Sequence, residues 1–144
     1  MYPYKQGIFK PEAPQKYVGS LPIVYRSGLE LKFDRWCDRN GKVLQWGSES
    51  TIVPYTSPLD GRTHRYYVDY VLVLKTDKGI VKYIVEVKPS GQTQPPTNNG
   101  NKKKSTILYE QIQWAKNTCK WAAAREYANK KGWNFIIITE KDLN

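Results

Sequence analysis

The sequence predicts an α/β protein in which a central mixed sheet is flanked by helices, in the order helix, three-strand meander, helix, strand. Three observations carry that expectation. Leu29, Phe33, Trp36 and Cys37 recur at helical spacing behind a Ser27 cap. Residues 65–75 and 80–88 are two runs of β-branched and aromatic residues divided by Thr76-Asp77-Lys78-Gly79, which reads as a β-hairpin. A long helix-favouring stretch then stops at Gly132, ahead of the apolar run 133–139.

In chain order, residues 1–22 form an extended N-terminal arm, because Pro3, Pro11, Pro14 and Pro22 resist helix and no strand alternation is present. Residues 23–144 form a single domain, the size expected of 144 residues. The first helix spans about 28–39 and is stopped by Asn40-Gly41. Two short strand pieces are expected at Val43–Trp46 and Thr51–Tyr55. In the hairpin, period-2 alternation places Tyr66, Val68, Tyr70, Leu72 and Leu74 on one face, and Val81, Tyr83, Val85 and Val87 likewise. The opposite faces are apolar too, so both strands should be buried on two sides. No apolar residue occurs from Pro89 to Lys104 apart from prolines, which reads as a flexible loop over 89–104. The second helix runs from 105 or 106 to about 131 with Ile107, Leu108, Ile112, Ala115, Cys119, Ala122 and Ala123 as its apolar stripe.

Composition bounds the function. Hydrophobic residues make up 40% and aromatics 13%, enough for a packed core. With 23 Lys and Arg against 13 Asp and Glu the formal charge is +10, which points to an anionic partner. Cys37 and Cys119 are far apart and have only His64 as an imidazole partner, so no zinc site or disulfide framework is written, and a reducing compartment fits. No apolar run is long enough to cross or anchor in a membrane.

The polar exceptions in the hairpin carry the chemistry. Charged groups in buried strands are costly unless paired or bound to metal, and Asp69, Glu86 and Lys88 are such groups. An even-numbered turn makes opposed residues sum to 155, which sets Asp69 across from Glu86, with Lys88 one strand period further on the same face. A divalent cation would relieve two opposed carboxylates, and hard oxygen ligands suit Mg²⁺ or Mn²⁺. A cross-strand ion cluster at a solvated edge, or a bulge that separates the carboxylates, explains the same residues without metal.

Asp69 and Glu86-Val87-Lys88, with Glu30 in the preceding helix, resemble the PD-(D/E)XK nuclease superfamily, although Val68 stands where the motif has Pro. Tyr25-Arg26-Ser27-Gly28-Leu29-Glu30 is similar to the Arg-Ser-x-x-Glu helix start of TnsA-type transposase endonucleases. From Gly7-Ile8-Phe9-Lys10-Pro11 through His64-Arg65-Tyr66 to Glu86-Val87-Lys88-Pro89, the chain resembles the head completion nucleases of T-even-like tailed phages.

That resemblance implies a restriction-endonuclease-like core and Mg²⁺-dependent hydrolysis of double-stranded DNA, by endonuclease and exonuclease action, with Mn²⁺ as a substitute. Asp69, Glu86 and Glu30 would be metal ligands and Lys88 would hold the attacking water or the scissile oxygen. Phage head or neck proteins become the expected partners, and the host cytoplasm during assembly, or the virion, the expected place of action. Glu30 also has a purely structural use in a Ser27 capping box. Gln111 and Gln113 stand where some exonuclease members orient the site. Lys102, Lys103, Lys104, His64 and Arg65 would contact DNA, whereas a solubilising surface and a turn histidine are the plainer explanations. A non-catalytic DNA-binding or virion protein on the same scaffold is the competing reading; a transposase subunit would need a further DNA-binding domain.

Overall fold

The computed structural model describes residues 6–98 and 100–143, together with all their side chains except those of Glu49 and Ser50. The expected extended arm and flexible loop therefore lie partly outside the described residues, at 1–5 and 99.

The elements are β1 (Gly7–Phe9), β2 (Ile23–Tyr25), α1 (Gly28–Arg39), β3 (Val43–Thr56), β4 (Thr63–Thr76), β5 (Gly79–Val87), α2 (Lys104–Lys131) and β6 (Asn134–Ile138). A four-stranded sheet in the order β3-β4-β5-β6 forms the centre, with β6 parallel to β5 and the other pairs antiparallel. This is the expected mixed sheet, with α2 as the crossover that makes a parallel neighbour reachable.

Helix α1 has the expected bounds. Ser27 accepts the Glu30 N–H at 3.0 Å, and the chain leaves the helix at Asn40. Its apolar side, with Leu29, Phe33 and Cys37, packs on one sheet face against Trp46, Tyr70, Leu72, Val85 and Val87. Helix α2 covers the other face, where Trp121, Ala124 and Ala128 meet Val53, Tyr66, Val68, Val71 and Ile84. Gly132 ends it at φ 74°, a left-handed conformation that a side chain would strain.

Four expectations change. The two strand pieces at 43–46 and 51–55 are one 14-residue strand, β3, whose register against β4 shifts between Ser48 and Thr51. An extra residue there bends the strand without ending it. Beside that shift the alternation of β4 breaks at Asp69: Tyr66 and Val68 join the α2-side core, while Tyr70 and Leu72 join the α1 side. They do not share one face. The buried stripe of α2 is also rotated from the expected one, since Leu108 and Ala122 are exposed and the tryptophans and small alanines face inward. Broad indoles fill the space over the sheet, and Ala124 and Ala128 let the helix approach it.

The arm is extended but also makes a strand, with Ile8 paired to Val24. It docks along the domain: Val18 N–H donates to Trp46 O at 2.8 Å, and the backbone passes so near Gly47 that an added Cβ would lie 3.0 Å from Gly19 N. Lys16 Nζ donates to the carbonyls of Cys37, Asp38 and Asn40 at 3.1, 3.0 and 2.9 Å, satisfying the end of α1. Asp38 in return accepts the N–H groups of Glu12 and Ala13.

Candidate active site

The hairpin closes through Asp77 and Lys78, and its rungs run from Thr76–Gly79 to Tyr70–Val85. The next step of that register brings Asp69 and Glu86 together. Here the ladder gives way to a side-chain bond, as Asp69 Oδ2 accepts the Val87 N–H at 2.9 Å. Glu86 is buried, at 6% exposure, on a strand flanked by both β4 and β6. Its Oε1 accepts from the Tyr66 hydroxyl at 2.6 Å, and its Oε2 stands 3.7 Å from Lys88 Nζ. The Lys88 backbone is fixed in turn by its N–H bond to Ile138 O.

Electrostatics mark the same spot. Burial, then the facing Glu86 carboxylate, push Asp69 well above the usual carboxylate range, against the Val87 N–H and Lys88, while Glu30 adds to the rise. Burial and Glu86 also raise Tyr66, keeping it a hydroxyl donor. Lys120 on α2 is lowered by burial and by Lys116 and Lys88, with Glu86 and Asp69 pulling the other way. Its Nζ lies 5.5 Å from the centre of the Tyr66 ring, whose hydroxyl binds Glu86, so a second ammonium stands within electrostatic reach of the carboxylates.

The donor chemistry fits a hard dication: two carboxylates of like charge, with Asp69 driven toward protonation by burial first and by Glu86 second. Glu30 is near enough to act on Asp69, Asp34 and Tyr70 electrostatically. Its Oε1 also accepts the N–H of Arg26, one residue before the Ser27 cap, at 3.2 Å, so this bond ties the helix start without being the Ser27 N–H bond of a capping box. Among the described residues no three acidic, histidine or cysteine side chains gather closely enough to enclose a metal ion. The ready ligands are thus Asp69 and Glu86, with Glu30 set back on the helix.

The other expected residues lie apart from this cluster. His64 is held at a turn by Asp60, 2.8 Å away, and Arg65 is exposed at the β3–β4 pairing. Lys102 is committed to Glu110 and to Thr97 O, both at 2.8 Å, whereas Lys103 and Lys104 are exposed at the start of α2. Gln113 borders a cleft beside Lys88, and Gln111 is exposed.

Tyr66 is the residue that sequence reasoning missed, and Lys120, which the sequence offers only as one of a set of basic residues on the second helix, lies closer to the carboxylates than that reading implies. Strict alternation sets Tyr66 and Asp69 on opposite faces, and only the break in β4 turns Tyr66 toward Glu86. Lys116 and Lys120 stand one helical turn apart, which puts Lys120 on a shared helix face with a second cation.

A family described as the TnsA-like endonuclease N-terminal domain matches residues 40–140, which include Asp69, Glu86 and Lys88 but not the start of α1. The chain is also 35% identical over 141 residues to the head completion nuclease of Enterobacteria phage T4, covering 95% of this chain and 92% of that protein.

Proposed function

The chain belongs to the TnsA-like endonuclease family, and from that premise we propose that it is a Mg²⁺-dependent deoxyribonuclease that cuts double-stranded DNA internally and from ends. Its place of action would be phage head completion, in the host cytoplasm or on the virion, where it trims packaged DNA as heads join tails alongside head or neck proteins. The observation that carries the reading is the convergence of Asp69, Glu86 and Lys88 at one end of the hairpin, where burial makes their charges expensive without a ligand.

Asp69 and Glu86 would hold the metal, each oriented by a bond of its own: the Val87 N–H to Asp69 and the Tyr66 hydroxyl to Glu86. Mg²⁺, or Mn²⁺ in its place, would supply charge neutralisation at the phosphate and a bound water acidic enough to attack phosphorus. Lys88, one strand period beyond Glu86, would exchange its 3.7 Å contact for a phosphate oxygen or that water. Lys120 would add positive charge as phosphorus becomes five-coordinate and the leaving oxygen takes up the electron pair of the broken P–O bond, acting in the floor between Tyr55 and Tyr66. Glu30 would serve as an outer carboxylate that accepts a hydrogen bond from water. Lys103, Lys104 and Arg65 would track the backbone outside the site, with Lys102 and His64 in supporting positions because both are already paired.

Supercoiled plasmid incubated with the protein tests the reading. Nicking and linearisation are expected in Mg²⁺ or Mn²⁺, with loss in EDTA; undiminished cutting in EDTA, or none in any metal, overturns it.

A further inference from the structure

A cleft of about 380 Å³ opens beside the carboxylates, between α2 and the 89–104 segment. Lys88 forms its inner wall, which makes it continuous with the hydrolytic residues. Gln94, Tyr109, Gln113, Asn117 and Lys120 complete the working surface. From this lining we infer that the cleft receives one unpaired nucleobase adjoining the phosphate that is cut, so that the enzyme engages frayed or single-stranded DNA ends. The inference rests on the nuclease reading and adds the form of its substrate.

The chemistry of the walls selects that ligand. Side-chain amides offer donors and acceptors together, which is what the edge of a base requires once it has left its partner. Tyr109 is 63% exposed, an aromatic face unused by the core and available for stacking. The ammonium groups of Lys88 and Lys120 stand at the inner end, where the phosphate attached to that base would lie. A paired base keeps its Watson–Crick edge and its faces inside the duplex, so amides and an aromatic face that engage that edge and that face require an unpaired one.

The cleft is also held open by bonds at both ends of its loop. Ser90 N–H and hydroxyl bind the Glu140 carboxylate, the first at 2.8 Å, and Thr93 Oγ1 donates to Ser90 O. At the far end Lys102 bridges Thr97 O and Glu110. Glu110 is the one acidic side chain among the described lining residues, and this ion pair cancels its repulsion toward a nucleotide.

The test is binding to the Glu86→Gln protein, with a blunt duplex compared with the same duplex carrying three unpaired nucleotides at one end, 2-aminopurine among them. Preference of about tenfold for the frayed end is expected, with the fluorescence of the unpaired base quenched. Tyr109→Ala combined with Asn117→Ala, both in the wall that α2 gives the cleft, should erase preference and quenching while blunt-duplex affinity stays. Equal affinity for the two substrates, or a preference untouched by the double variant, overturns the cleft assignment. Cleavage by the unaltered protein is scored separately: cutting without end preference defeats this inference alone, and absence of any cutting defeats the nuclease reading.

Discussion

The hydroxyl of Tyr66 donates to Oε1 of Glu86 across 2.6 Å, inside the sheet and three positions before Asp69 on the neighbouring strand. One carboxylate of the pair is therefore aimed by a group that the β4 irregularity delivers. Tyr66→Phe removes the bond and leaves the ring. It should lower cleavage about tenfold and weaken Mn²⁺ affinity, with a stability loss of about 1–3 kcal/mol from the unsatisfied oxygen. Plasmid nicking and Mn²⁺ titration read both effects; unchanged values in each would mean that Glu86 needs no such aid.

Glu86→Gln and Lys88→Ala separate a metal site from a structural ion cluster. Glu86→Gln keeps an acceptor for Tyr66 and removes the charge that faces Asp69, so it should fold at least as stably as the parent and cut no DNA. Lys88→Ala should stay folded, bind Mn²⁺ and be inactive. A structural cluster predicts a loss of about 3–5 kcal/mol when one member is stranded. Thermal unfolding together with nicking decides, and parental cutting by either variant ends the catalytic assignment.

Asp34 on α1 is fully buried, accepts from the Tyr70 hydroxyl at 2.8 Å, and has no partner on Oδ2 among the described residues. Burial raises its pKa from 3.8 to about 7, opposed by the Tyr70 bond and helped by Glu30. Because the folded value is the higher, the folded protein holds the extra proton between these limits, and stability falls as pH rises from about 4 to about 7 and then levels. The size is on the order of 4 kcal/mol. Asp34→Asn should come nearest the parent at or below about pH 4 and exceed it by the full amount at pH 8 in urea unfolding; a parent-like slope in the variant would remove Asp34 from the account.

Lys16 closes the end of α1 with three bonds to backbone carbonyls. Lys16→Met should cost about 1–3 kcal/mol and loosen the arm, seen as faster amide exchange at Glu12 and Ala13. Protection unchanged at those amides would show that the arm is held by Phe9 and Tyr17 alone.

DNA binding should weaken about a hundredfold or more between roughly 50 and 200 mM salt, as counterions are released from several phosphates. Fluorescence anisotropy on a short duplex measures it. A flat response would give the +10 charge another purpose.

The sequence disclosed what depends on period and turn length. The 28–39 helix follows from a cap, a stripe and a glycine, and the parity of a two-residue turn was enough to bring Asp69 to Glu86. Illegible parts depend on contacts between distant segments. The shift between Ser48 and Thr51 acts on the adjoining strand, so nothing near Tyr66 announces that Tyr66 will turn toward Glu86. The burial of Asp34 likewise depends on Tyr70, which reaches it from β4, 36 positions along the chain. The arm lacked an alternation signal because a three-residue pairing, Gly7–Phe9 on Ile23–Tyr25, is too short to show one.

The parallel pairing of β6 with β5 has a bearing on when the enzyme becomes competent. Glu86 and Val87 pair with Ile137 and Ile138, and the Lys88 N–H with the Ile138 carbonyl. A ribosome makes the hairpin well before residues 134–138, and the intervening 28-residue helix must cross the sheet before they can dock. Until then β5 is an edge, and the backbone that carries Glu86 and Lys88 has one side open to water. On the proposed reading, hydrolytic competence therefore waits until residues 134–138 have been made and docked beside β5.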